Sequence, residues 1–274
     1  MDSDLVMAVS SDGVTFQPWP LAPAKPTRGS VIRRTKGGWD NNQQASPTLL
    51  TDPRDPSNAT VLMLYVGHCT ANCTSTGGAS YWFGILGASS QDLVHWKKEA
   101  APVVPWGGSV PDWAAFNGEP GWIYGPDGYF YVFPSGGFNV QPPAENFGAC
   151  GVDAPLLSGT GNCSSCRVPL GCCAEVWTAP ACGWLVGIAR SKQPFSGYAP
   201  LSPSSIVTPG PAGSVSSQGV FAPSAMLDPR ATGGSGQLLA RVWYFQSTKC
   251  APNGWCPATI NEATAPWPLY QGTV

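Results

Sequence analysis

Glu119 is the carboxylate whose neighbours best suit acid chemistry. It stands immediately before Pro120, between Phe116 and Trp122. A carboxyl among such apolar groups loses hydration, which raises its pKa and lets it hold a proton near neutral pH. The plainer role for a Glu at such a place is to bond the amides of a turn. Two other acids precede prolines at longer range, Asp40 seven residues before Pro47 and Asp112 eight before Pro120. Asp40 stands in the pair Trp39-Asp40, where an Asp commonly caps a turn. Cys163-Ser-Ser-Cys166 and Cys172-Cys173 hint at a metal, but the spacing suits only two of four zinc ligands and neither histidine is near. No metal and no cofactor are expected.

The elements that would position these residues repeat along the chain. A proline, a short apolar strand, an aromatic strand and a Ser-rich turn recur three times, with 73 residues from Pro47 to Pro120 and 103 from Pro120 to Pro223. Residues 4–19 read as strand, Asp-Gly turn and strand, a hairpin. They match the closing hairpins around Ser90-Gln91-Asp92 and Arg190-Ser191-Lys192. Repeated units of several short strands bury their faces by stacking on one another, and four strand-like runs per unit read as propeller blades. The expected fold is all-β, a single β-propeller domain over 1–274, present incompletely as three to four blades. The longer middle interval is assigned to a Cys-rich insertion at about 138–182, which holds six of the ten cysteines. In a propeller the innermost strands line a central channel, so the residues around the proline column are the candidate site.

Composition narrows the setting. Charged residues are 11% of the chain, against roughly 25% in ordinary globular proteins, while 33 Gly and 29 Pro favour turns over helices. A net charge of −2 offers no footprint for nucleic acid. No apolar run is long enough to span a membrane as a helix. Ten cysteines in such a chain read as disulfides formed in an oxidising compartment, and sequons at Asn58, Asn72 and Asn162 agree with a secretory or extracellular location. Residues 1–4 carry no leader, so one is expected upstream of Met1 or lost.

The run from Phe116-Asn117-Gly118-Glu119-Pro120 through Trp122-Ile123-Tyr124 to Phe133-Pro134-Ser135 resembles the third blade of family 43 glycoside hydrolases, the arabinanase and xylosidase group. Val186-Gly187 with Arg190-Ser191-Lys192 is similar to the family's next hairpin, and Ser90 to Trp96 to a hairpin of the related fructosidases. The resemblance implies a five-bladed propeller, Glu119 as general acid, and hydrolysis with inversion, in which a second carboxylate activates water across the sugar. It also implies oligo- or polysaccharide of plant or algal origin as partner, bound by a monomer. Sugars stack their C–H faces on aromatic rings, so Trp39, Trp113, Phe116, Trp122 and Phe221 are candidate binding residues, together with Asn117 and Gln218. Blade packing is the competing use of each ring.

The sequence departs from the family pattern in places. Thr48 follows Pro47 where the family has a pKa-tuning Asp, no residue separates Glu119 from Pro120, and the base Asp of the first blade would precede Met1, leaving Asp40 as a substitute. The family's channel metal is held through a His, and neither His68 nor His95 suits that role. Two other functions therefore stand beside the enzyme: a noncatalytic carbohydrate-binding propeller, and a disulfide-stapled surface protein whose Cys-rich loop binds a protein.

Overall fold

The computed structural model describes residues 4–19, 30–69, 82–104, 116–137, 185–202, 204–208, 219–229, 238–247 and 258–269. No helix occurs among them. The chain divides into two compact units, Met1–Val103 and Val104–Val274.

In the first unit β1 (Leu5–Val9) and β2 (Gln17–Trp19) form the expected hairpin. Its turn is locked by side chains. Ser10 Oγ accepts the Gly13 amide at 2.8 Å, and Asp12 Oδ1 accepts the Val14 and Thr15 amides at 2.8 and 2.7 Å. Gly13 takes φ 73, a left-handed turn that glycine adopts without a Cβ penalty. The strand β3 (Ser30–Ile32) pairs with the other edge of β1. A second sheet runs β4 (Gln43–Thr51), β5 (Val61–Cys69), β6 (Trp82–Ser90) and β7 (Lys97–Lys98), each antiparallel to the next. The turn between β6 and β7 reuses the first device, with Ser90 Oγ accepting the Leu93 amide and Asp92 Oδ1 accepting those of Val94 and His95. Residues 62–69 of β5 are all buried, and Cys69 at its end is disulfide-bonded.

In the second unit β8 (Phe116–Tyr124) pairs with one edge of β9 (Phe130–Gly137). The other edge of β9 takes β10 (Leu185–Val186) and then β11 (Ala189–Ser191), which continues to β12 (Ala199–Pro200). The break between β10 and β11 faces Pro134, whose carbonyl accepts the Gly187 amide at 3.0 Å. Proline has no N–H to return, so the ladder is interrupted there. The last sheet runs β13 (Gly219–Asp228), β14 (Leu239–Ser247) and β15 (Ala258–Pro266). Ile123, Tyr131, Phe133, Val186, Val220 and Trp267 belong to one core cluster that joins these strands. The insertion expected at 138–182 lies outside the described residues.

Candidate functional site

The proline column is a column of bulges. The first strand of each repeat is interrupted, between Ala45 and Thr48 in β4, Gly118 and Gly121 in β8, and Phe221 and Ser224 in β13. Each interruption holds a non-glycine residue in the left-handed region directly before a proline: Ser46 (φ 47), Glu119 (φ 43) and Ala222 (φ 50). A residue before proline normally stays extended, and a left-handed non-glycine residue costs about 1–3 kcal/mol. A bulge leaves its extra residue outside the ladder and re-aims its side chain. Of the three, only Glu119 brings an ionisable group.

The bulges of β8 and β13 touch. A Cβ added to Gly121 would lie 2.8 Å from the Pro223 carbonyl oxygen, so this approach needs glycine. Across the seam the Ala222 amide donates to Ser135 Oγ at 2.8 Å and to Glu119 Oε2 at 3.1 Å. Ser135 Oγ donates in turn to Glu119 Oε2 at 3.3 Å. Ser135 is 0% exposed, placed by pairing of β9 with Gly118 on one side and Val186 on the other. Burial pushes the Glu119 carboxyl above its ordinary value, and the Ala222 and Ser135 donors offset part of that rise. Chemically this is a half-buried carboxylic acid that can hold a proton and give it up, with two donors ready for the anion left behind.

Asp40 has a different setting, inside the first unit. It is 2% exposed, and its Oδ2 accepts Lys98 Nζ at 2.5 Å, Gln44 Nε2 at 2.5 Å and Tyr65 OH at 3.3 Å, while Oδ1 accepts the Thr35 amide at 2.9 Å. These bonds tie Asp40 to the Thr35 amide and to β4, β5 and β7. The Tyr65 hydroxyl is pushed well above its ordinary pKa, by burial first and then by the Asp40 charge.

The aromatic candidates divide. Trp122 is 4% exposed, donates Nε1–H to Tyr198 OH at 3.0 Å, and packs on Phe130 and Phe195 with centroids 5.7 and 6.1 Å away. It serves packing and is not placed to stack on a sugar, which corrects that expectation; a buried indole finds a partner for its N–H in this way. Trp39 is half-buried, with Nε1–H directed to the Ala100 carbonyl at 3.3 Å. Phe116 and Asn117 pair through their backbones with Gly137 and Gly136, and Phe221 with Phe245. Trp113 and Gln218 lie outside the described residues.

A Ser90, Asp92, His95 group lines a surface cavity of about 350 Å³ with Thr60, Gln91 and Lys97. It is not a nucleophile triad. Ser90 Oγ and His95 Nδ1 both bond Asp92, at 3.1 and 2.6 Å, whereas a nucleophile must bond the base. The Ser10–Asp12 turn repeats the arrangement without a histidine. His68 is buried beside Gln43, at 3.3 Å, His95 sits on the exposed turn, and no group of three or more His, Cys, Asp or Glu side chains gathers among the described residues.

The sequence singles out Glu119 but not the groups that hold it. Ser135 ends the motif that carries the resemblance, and its signal was register, since it falls opposite Gly118. The Ala222 amide left no signal, being backbone 103 residues away.

No family model matches the sequence, and no curated protein matches it. Among solved structures, a thermostable family-43 glycoside hydrolase aligns with 98% of this chain and 68% of its own at 14% identity and a TM-score of 0.52. A structure described as a glycoside hydrolase aligns at 15% identity and a TM-score of 0.47, and an N-acetylgalactosamine deacetylase from F. plautii, in complex with blood group B trisaccharide, at 13% and 0.45. Each of these two covers 82% of this chain, which spans 56% and 50% of their respective lengths. The likeness to the family-43 hydrolase is one of fold: this is an all-β chain of successive antiparallel sheets, consistent with an incomplete β-propeller.

Proposed function

We propose that this chain is a glycoside hydrolase-like protein that acts on plant or algal polysaccharide, with Glu119 as its general acid. The observation that carries the reading is the Glu119 carboxyl, half-buried on a strained bulge, raised in pKa by that burial and fixed by donors on one oxygen. Strained backbone tends to collect at functional sites. The family-43 fold likeness points to the same chemistry. A secreted setting is part of the proposal, supported by the Cys69 disulfide and by the exposed sequon residue Asn58.

The test is hydrolysis of arabinan, xylan and fructan oligosaccharides by the chain and by Glu119→Gln. Loss of the acid is expected to lower turnover by roughly 100- to 10,000-fold while the folded structure and saccharide binding remain. Equal turnover by both proteins would remove Glu119 from the chemistry. A second reading, a carbohydrate-binding propeller without catalysis, is favoured by the bonds that already engage Asp40, because inversion needs a carboxylate free to activate water. Saccharide binding with no turnover by the unmodified chain would select it.

A further inference from the structure

We propose that Ser135 is the positioning residue of this site: together with the Ala222 amide it claims Oε2 of Glu119 and leaves Oε1 as the oxygen that carries the proton. The inference rests on Glu119 being the acid and adds which atom acts and what holds it.

Both hydrogen bonds to the carboxyl converge on one oxygen. Ser135 Oγ donates to Oε2 at 3.3 Å and the Ala222 amide donates to the same atom at 3.1 Å. Among the described residues no hydrogen bond reaches Oε1. A protonated carboxyl has one donor oxygen and one acceptor oxygen. Two donors aimed at Oε2 make it the acceptor, so the proton belongs on Oε1. Ser135 Oγ accepts the Ala222 N–H at 2.8 Å on one side and gives its single hydrogen to Oε2 on the other.

The arrangement suits the transfer. As the bond from the anomeric carbon to the leaving oxygen breaks, the bonding pair stays with that oxygen and the proton passes to it from Oε1. Water adds its oxygen to the anomeric carbon and releases a proton to solvent. The carboxylate that remains has its charge met at Oε2 by two donors already in place, which is where preorganised hydrogen bonds contribute to catalysis.

The carboxyl groups, labelled with ¹³C at glutamate Cδ, are titrated by NMR in the unmodified chain, Ser135→Ala and Ser135→Thr, the Glu119 signal being the one absent from Glu119→Gln. Removing a donor to the anion moves the Glu119 midpoint upward in Ser135→Ala, and Ser135→Thr, which keeps the hydroxyl, stays with the unmodified chain. With an active substrate, Ser135→Ala also lowers kcat by about fivefold, the worth of one hydrogen bond, with KM unchanged and the alkaline limb of the pH profile moved upward. Identical midpoints in Ser135→Ala and the unmodified chain would overturn the proposal. Should Ser135→Ala not fold, the Ala222 amide shift decides: it follows pH with the Glu119 midpoint in the unmodified chain and loses that dependence in Glu119→Gln, and a flat response in both would count against the proposal. A shifted midpoint in a chain without turnover upholds the positioning while ending the enzyme reading, and turnover that depends on Glu119 with unshifted midpoints does the reverse.

Discussion

A carboxyl that keeps its proton through burial leaves a mark on stability as well as on chemistry. Glu119 has its pKa raised from 4.5, with burial the largest cause, so above that pH the folded chain binds more protons than the unfolded one. Stability therefore falls as pH rises through the window that begins at the ordinary Glu value and ends at the raised one. Glu119→Gln has no such group, and its stability relative to the unmodified chain is expected to climb across that window. Urea denaturation of both proteins at a series of pH values measures the difference; parallel curves would mean that the carboxyl titrates alike in both states. Asp52 behaves in the opposite sense, since the Arg54 guanidinium holds its carboxyl below the usual range and its contribution is lost on acidification. The two acids singled out by sequence diverge for a reason that lies outside their own neighbourhoods. Glu119 is held by Ser135 and by the Ala222 amide, 103 residues along the chain. Asp40 is governed by Lys98, 58 residues along the chain, a partner that no local pattern reveals.

At the scale of the strand, the proline column was legible because it repeats, but its conformation was not. Proline's lack of an N–H predicts an interrupted ladder. It does not predict that the preceding residue turns left-handed, because that residue is ordinarily extended. The same conformation at Ser46, Glu119 and Ala222 shows that the strain belongs to the blade, and that Glu119 exploits a bulge the fold builds in any case. Two substitutions separate these contributions. Ser46 is exposed, and Ser46→Gly, which relieves a left-handed backbone without touching a core, should raise stability by about 0.5–1 kcal/mol. Gly121→Ala should lower it by about 1–3 kcal/mol, since the new methyl would meet the Pro223 backbone at 2.8 Å. The second change also moves Ala222 away from Glu119. Denaturant midpoints for both proteins check the signs, and a neutral Gly121→Ala would show that the seam between β8 and β13 yields easily. Trp122 marks the limit of composition as a guide at this scale: a Trp beside the candidate acid invites a sugar-stacking role, and its register on β8 instead directs it to Phe130, Phe195 and Tyr198.

Across the molecule, the repeat was readable because each copy carries the same succession of proline, apolar strand and aromatic strand, and the sheets follow that order. The copies are unequal in burial, which sequence did not foretell. The middle strands β5 and β9 are buried along most of their length on both faces, including Leu64, Tyr65, Phe130 and Tyr131. Their counterpart β14 is also apolar and aromatic, yet Phe245 is 38% exposed and its partner on β15, Ile260, is 66% exposed. Strands of similar composition thus bear different loads, because the load depends on what covers the sheet and not on the residues alone. Leu64→Ala should cost about 2–5 kcal/mol, the usual penalty for emptying a closed core position, whereas Ile260→Ala, at a site open to solvent, should stay within about 0.5 kcal/mol. Chemical denaturation of the two variants gives the comparison directly. A large loss at Ile260 would mean that its face of the last sheet is covered in solution, as the face of a propeller blade is when another blade packs upon it.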